Sequence, residues 1–242
     1  MNRIALLFIL FNLTSNAQTL KDCSACAVKI IKTEQIKDLS IDEIRLLSNE
    51  IFARNGYQFE NSRFQNYFET KSWYKSIANN KSIVLKEIEK QNIKILQDQT
   101  KLLKAEQEEL INQLKTLKKL VLTNQTDELK SKFGFVYEQQ YGSENAELLK
   151  KVFNKINLDD INYYKSNGLN SVMTDNGFVK IVYELAIEKR EINLYYNYMS
   201  HSKIIEGFDE FNDYHSEDEY MYNWQFEFKN NKLKFIRLAI AG

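Results

Sequence analysis

Hydrophobic positions follow a helical spacing through the first half of this chain and a strand-like alternation towards its end. Ser40 and Glu43 stand three residues apart, as in a capping box, directly before apolar residues at helical spacing, Ile44, Leu47 and Ile51. We expect a helix that begins after Ser40 and ends at Asn55-Gly56, because glycine accepts the left-handed conformation that closes helices.

Aromatic residues are concentrated directly after this first helix. A second short helix is expected there, with Asn61 or Ser62 as its N-cap. The pattern predicts a small helical hairpin with an aromatic core, built from Tyr57, Phe59, Phe64, Tyr67, Phe68, Trp73 and Tyr74.

A stretch without glycine or proline runs from Ser82 to Leu122 and predicts one long helix or two. Leucines recur every seven residues along it, at Leu96, Leu103, Leu110 and Leu117. Two of the five accompanying a positions, Thr100 and Gln107, are polar, so the coiled-coil seam is imperfect. Two interpretations stay open: the helix packs within its own chain or acts as a solvated connector, or residues 93–121 form a homodimeric coiled coil.

Strand patterns appear after residue 124, following a helix expected from Ser143 to Asn157. Turns are expected at Asn167-Gly168 and Asn176-Gly177, and a tight hairpin at Asn230-Asn231. The predicted strands are Phe178–Ile187, Ile192–Met199, Tyr220–Lys229 and Lys232–Ile240. A helix followed by a strand meander predicts an α+β domain with an antiparallel sheet.

The N-terminus has the pattern of a secretory signal peptide. Arg3 precedes an apolar run from Ile4 to Leu13, and Ser15-Asn16-Ala17 supplies small residues for cleavage after Ala17. The run is about ten residues long, whereas a bilayer-spanning helix needs about 20. We therefore expect an exported protein, periplasmic, surface-bound or secreted, with no transmembrane segment after signal cleavage.

The whole chain is predicted to be α+β, with a helical N-terminal domain, a long helical connector and a C-terminal α+β domain. The expected divisions are a signal peptide at 1–17, an N-terminal segment with a cysteine pair at 18–38, a helical domain at 39–98, a connector or coiled coil at 99–123, and the C-terminal domain at 124–242.

Charge argues against one class of partner. The 242 residues contain 33 Lys plus Arg and 33 Asp plus Glu, so the formal net charge is zero. Nucleic-acid-binding domains normally carry a basic excess, so we expect no nucleic acid as a partner.

Cys23 and Cys26 are the chain's two cysteines. No strand can precede them after cleavage, which argues against a thioredoxin-like redox motif, and no His follows for haem attachment. They make a poor zinc site without further His or Cys nearby. We favour a local disulfide between them; a lipid-modified cysteine is the minor alternative.

One stretch resembles a known family. The run Asn49–Tyr57, with Leu39-Ser40 before it, Tyr67-Phe68 and Trp73-Tyr74 after it and the helix at Leu85–Ile93, is similar to the YARHG domain over roughly residues 39–97. The family consists of presumed extracellular bacterial domains named after a Tyr-Ala-Arg-His-Gly motif. The resemblance implies an extracellular module, and it implies no particular activity.

The chain departs from the family at three positions: Phe52 stands for Tyr, Asn55 for His, and Lys75 for a usual Pro. Asn55 neither titrates nor binds metal as His does, so a base or metal-ligand role there is excluded. The motif is then mainly the capped end of a helix.

The candidate binding residues are Arg54, Asn55, Tyr57, Trp73 and Tyr74. Arg54 lies four residues after Glu50, so an ion pair on the helix is the alternative to a ligand contact. Trp73 and Tyr74 belong either to the core or to an exposed aromatic platform for a sugar or peptide.

An acidic stretch, residues 206–219, holds seven carboxylates and no base. Its spacing does not match an EF-hand calcium loop, and neither His201 nor His215 belongs to a recognisable catalytic pattern. We predict no catalytic residues, metal or cofactor. The favoured hypothesis is an exported non-catalytic binding or structural module of the bacterial cell envelope, whose partner is an envelope polymer or envelope protein. The alternative is an exported hydrolase with an acidic site in the C-terminal domain.

Overall fold

A computed structural model describes residues 18–137, 144–177, 179–199 and 219–242. The predicted signal peptide, both histidines and the acidic stretch up to residue 218 lie outside these ranges. The fold is α+β, as the sequence predicts. Its described residues form two compact units, here called the N-terminal unit (residues 18–39 and 44–99) and the C-terminal unit (residues 40–43 and the described residues between 100 and 242).

The first helix, α1, spans Ile41–Arg54, and both of its predicted ends are confirmed. The Ser40 amide and hydroxyl both donate to Glu43 Oε2, and the Glu43 amide lies 3.3 Å from Ser40 Oγ. These two bonds lower the pKa of the Glu43 carboxyl. At the other end Gly56 has φ +83°, Tyr57 N donates to Phe52 O and Gly56 N to Ala53 O. This pair of bonds is a Schellman motif.

The short helix α2 spans Ser62–Glu69, and its N-cap is Asn61, whose side chain accepts from Arg63 N. The long stretch forms a single helix, α3, over Glu87–Leu122. Helix α3 begins after Ser82, which lies in a separate 3₁₀ turn at Asn80–Ser82.

The heptad leucines of α3 are mostly buried within their own chain. Leu96 lies in the core of the N-terminal unit, and Leu110, Leu114 and Leu117 lie in the core of the C-terminal unit. Leu103 is half-buried and Leu102 is exposed. Burial of the stripe favours packing inside the chain, and a homodimer through residues 93–121 stays a prediction.

The C-terminal unit adds two helices and a six-stranded antiparallel sheet. The helices are α4, Thr126–Phe133, and α5, Glu144–Lys155. The strands follow one another as neighbours in the sheet: β1 Asn162–Tyr164, β2 Asn167–Asp175, β3 Lys180–Glu188, β4 Glu191–Met199, β5 Tyr220–Lys229 and β6 Lys232–Ala241.

The last four strands match the sequence prediction, whereas α4, β1 and β2 were not predicted. The prediction of a turn at Asn167-Gly168 is wrong, because both residues lie in β2. The turn before β2 is at Lys165-Ser166, where Lys165 has φ +55°. Gly168 is needed inside the strand since a Cβ there would lie 2.8 Å from Cε1 of Tyr163.

One face of the sheet packs on the helices. On this face, side chains that are paired across neighbouring strands lie side by side. One such row consists of Leu185, Leu194, Trp224 and Leu238. With α3, α4 and α5 these residues form the core of the unit. The residues between them along each strand point to the other face, among them Asn193, Tyr195, Asn197, Asn223 and Gln225.

Within the described part of the chain, no helix is long and apolar enough to cross a membrane.

Candidate functional site

The end of α1 brings the motif residues together, but with different roles. Arg54 Nη2 lies 2.6 Å from Glu50 Oε1, and Arg54 Nε donates to the same oxygen at 2.9 Å. The guanidinium carbon is also 4.1 Å from the centre of the Trp73 ring. Arg54 is therefore held between a carboxylate that is largely buried and the face of an aromatic ring.

Asn55 is engaged inside the N-terminal unit. Its Nδ2 donates to Ile51 O at 2.9 Å and to Glu89 Oε1 at 2.8 Å. Glu89 is buried at 4% exposure, and its other oxygen accepts from Lys86 N at the start of α3. The residue that replaces the family's His thus links the end of α1 to the first turn of α3.

Tyr57 and Tyr74 are both half-buried. The Tyr57 ring packs edge-on against Phe52 and Phe59. The Tyr74 hydroxyl donates to Tyr57 O at 2.8 Å and lies 3.0 Å from Gln65 Oε1. These contacts give both tyrosines a place in the aromatic hairpin.

Trp73 reaches the surface. Its exposure is 36%, and that of Tyr67 on α2 is 40%. Both rings contact the buried Phe68, with centroid distances of 6.1 Å for Trp73 and 5.1 Å for Tyr67. Lys71 Nζ lies 4.4 Å from the Tyr67 ring centre. We call Tyr67 and Trp73, with their cations Lys71 and Arg54, the aromatic platform.

The sequence did not single out Tyr67 and Lys71 as a site. The sequence predicts Tyr67 in the aromatic core of the hairpin, together with Phe64 and Phe68. What distinguishes Tyr67 is its exposed fraction of 40%, which depends on the packing of the whole unit and has no local sequence signal.

Asn92 on α3 makes hydrogen bonds to the backbone of the segment that contains the two cysteines. Cys23 and Cys26 are disulfide-bonded and buried. Asn92, which has no exposed surface, donates Nδ2 to Cys26 O and Lys29 O and accepts from Ile31 N, each at 2.8 Å. All of the amide's bonds are thus made to the segment that carries the disulfide.

A family model confirms the resemblance and extends it towards the N-terminus. Residues 25–101 match the YARHG domain. The matched YARHG segment begins before residue 39, where the resemblance was expected to begin. Its added part includes Cys26 and the loop bonded to Asn92, so the structure and the match agree that this loop belongs with the helices. No curated protein and no solved structure matches the chain.

The alternative site in the acidic stretch cannot be placed, because residues 200–218 lie outside the described ranges. Of its carboxylates only Glu219 is described, directly before β5. In the described ranges, no group of three or more His, Cys, Asp or Glu side chains is arranged to hold a metal ion. The hydrolase therefore stays a prediction.

Proposed function

We propose that the chain is an exported, non-catalytic binding module of the cell envelope, and that the aromatic platform of its YARHG segment contacts an envelope polymer. The observation that carries this proposal is Trp73, which is exposed while Arg54 is stacked on its ring.

The platform is held in place before any ligand binds. Glu50 binds two nitrogens of Arg54, and Arg54 in turn stacks on Trp73. Phe68, which is fully buried, contacts the rings of both Trp73 and Tyr67. Rigid aromatic side chains lose little conformational entropy on binding, which is why Trp and Tyr are frequent at interfaces.

The electrostatics favour a polymer with an apolar ring face over a strongly charged one. The Arg54 charge is offset by Glu50, and Arg54 also helps to lower the pKa of Asp22, after the side-chain and backbone bonds from Ser24. Its guanidinium is therefore poorly suited as the main contact of an anion. A sugar ring or a peptide side chain stacked beside Trp73 fits this arrangement.

The expected location of the chain is a second argument for the same function. The N-terminal signal pattern and the presumed extracellular setting of YARHG domains both support a location outside the cytoplasm. The platform would then face the polymers of the envelope.

Co-sedimentation with insoluble cell-wall and outer-membrane material tests the proposal. We expect the protein from residue 18 onwards to sediment with one of them. Trp73→Ala and Tyr67→Ala should each weaken binding by about tenfold, since hot-spot aromatics contribute about 1–3 kcal/mol.

Tyr164→Ala is the matched control, because Tyr164 is an aromatic residue with 74% exposure in the C-terminal unit. Circular dichroism would show that each variant is folded. A wild-type protein that stays in the supernatant, or platform variants that sediment as the control does, would overturn the proposal.

A further inference from the structure

The second face of the sheet carries an unusual set of side chains. Tyr195 lies opposite Asn223 across β4 and β5, Asn193 lies opposite Gln225, and Asn197 follows on β4. The residues between them, such as Tyr196 and Trp224, belong to the core. We call Asn193, Tyr195, Asn197, Asn223 and Gln225 the amide face. Tyr195, Asn197 and Gln225 are partly exposed, so this face reaches solvent.

Asn223 holds an unpaired polar atom. The residue is 5% exposed, and its Oδ1 is buried without a hydrogen-bond partner among the residues that the structure describes. The Asn223 side chain lies close enough to the Tyr195 hydroxyl to oppose, in part, the rise in the pKa of Tyr195 that burial causes. A buried acceptor without a donor typically costs about 1–3 kcal/mol, so its presence needs an explanation. A ligand that supplies the missing donor is one explanation that can be tested.

Charge around the amide face selects against polyanions. Burial raises the pKa of Tyr195, and the nearby carboxylates of Glu188, Glu184 and Glu191 raise it further. The basic residue of the same row, Arg237, donates Nε to Gln225 Oε1 at 2.8 Å. The charged groups around the amide face thus include three carboxylates and one cation, a balance that disfavours nucleic acids and acidic polymers.

Neutral carbohydrates suit the remaining chemistry. A sugar hydroxyl both donates and accepts, as do the amides of Asn and Gln, and the Tyr195 ring offers a surface on which a sugar ring can stack. A peptide strand would instead add to an edge of the sheet, where backbone groups are unpaired. Binding requires the partly exposed Tyr195, which lies opposite Asn223, to move aside so that a ligand hydroxyl reaches Asn223 Oδ1.

We infer that the amide face is a second binding site, which holds a neutral oligosaccharide with a hydroxyl donated to Asn223 Oδ1. This site is in the C-terminal unit and does not depend on the aromatic platform.

Nuclear magnetic resonance titration of the ¹⁵N-labelled protein from residue 18 onwards tests the inference. The probes are cellotetraose, maltotetraose and tetra-N-acetylchitotetraose at millimolar concentrations. At least one should shift the signals of residues 193–197 and 223–225, including the side-chain amides of Asn223 and Gln225.

Asn223→Leu separates binding from folding. Leucine has nearly the same shape and leaves no unpaired acceptor, so the melting temperature should stay the same or rise. The affinity for the oligosaccharide should fall by about tenfold or more. Asn162→Leu, at an exposed position of β1, is the matched control and should bind as the wild type does.

Three results would overturn the inference: no probe shifts the amide face, Asn223→Leu binds with unchanged affinity, or the shifts fall only around Tyr67 and Trp73. The last result would leave the proposed role of the aromatic platform intact. If the oligosaccharide no longer shifts the NMR signals of Asn223→Leu but still shifts those of Trp73→Ala, the binding site lies on the sheet and not on the aromatic platform.

Discussion

Asn55 shows what a single substitution within a family motif does to the surrounding bonds. Its position before Gly56 indicates a role at the end of a helix, and this part follows from the sequence. Its second bond, to Glu89 Oε1, joins residues 34 apart and has no local signal. The Glu50–Arg54 pair could be predicted because its spacing of four residues is itself the signal.

We expect Asn55→Ala to destabilise the N-terminal unit by about 1–3 kcal/mol, because it leaves the buried Glu89 carboxylate with one donor fewer. Asn55→His should recover part of this loss, since an imidazole N–H can also donate to a carboxylate. Urea unfolding followed by circular dichroism measures both changes.

Asn66→Ala is the control for this experiment, because Asn66 lies exposed on α2. Equal stability of Asn55→Ala and Asn66→Ala would show that the Glu89 bond does not stabilise the unit.

The elements of the fold divide into those with a local signal and those without one. Helices α1 and α3 and strands β3 to β6 have clear periodicity, so they were predicted within a few residues. Strand β2 begins with Asn-Gly, the most typical turn pair, and β1 is only three exposed residues long. Strand β2 depends on pairing with β3, and β1 depends on pairing with β2 and on the contact between Tyr163 and Gly168; a single sequence reveals neither.

Gly56→Ala tests the end of α1. The alanine would require φ +83°, and its Cβ would lie 3.0 Å from Lys75 O and 3.1 Å from Ile77 Cγ2. We expect a loss of about 2–3 kcal/mol in the free energy of unfolding, from the left-handed conformation and the crowding together.

Gly134→Ala at the end of α4 is the matched control. Gly134 also has positive φ, +66°, but nothing lies within 4 Å of its added Cβ. Its loss should be only about 1 kcal/mol, from the backbone conformation alone. If both variants lose the same free energy of unfolding, the contacts of Gly56 contribute nothing.

At the scale of the whole molecule, the two units differ in what stabilises them. The N-terminal unit contains the disulfide. The C-terminal unit contains the tyrosines whose pKa is raised chiefly by burial: Tyr137, Tyr163, Tyr195, Tyr196 and Tyr220. Burial raises the pKa of Tyr137 to about 12.

These differences predict two calorimetric transitions that respond to different conditions. A tyrosine whose pKa is higher in the folded state than in the unfolded state stabilises the folded state. This contribution is complete at pH values below the unfolded pKa of about 10, and it is lost as the pH rises towards the folded pKa. Raising the pH from about 8 to about 11 should therefore lower the melting temperature of the C-terminal unit.

Cys23→Ser with Cys26→Ser should instead destabilise the N-terminal unit, by about 2 kcal/mol for so short a loop. The two transitions are then assigned by which perturbation moves each of them. The prediction would be contradicted by a single calorimetric transition whose melting temperature falls equally on raising the pH and on replacing the two cysteines.

The bonds of Asn92 tie the loop that carries the disulfide to α3. A disulfide between residues three apart needs only a short segment and an oxidising compartment, but the donor that fixes its loop lies 66 residues further on. In an exported chain the thiols stay reduced until translocation, because the cytoplasm is reducing. The cysteines then have to pair before α3 packs on their loop and encloses them, so folding of the helix limits the time available for oxidation and exchange.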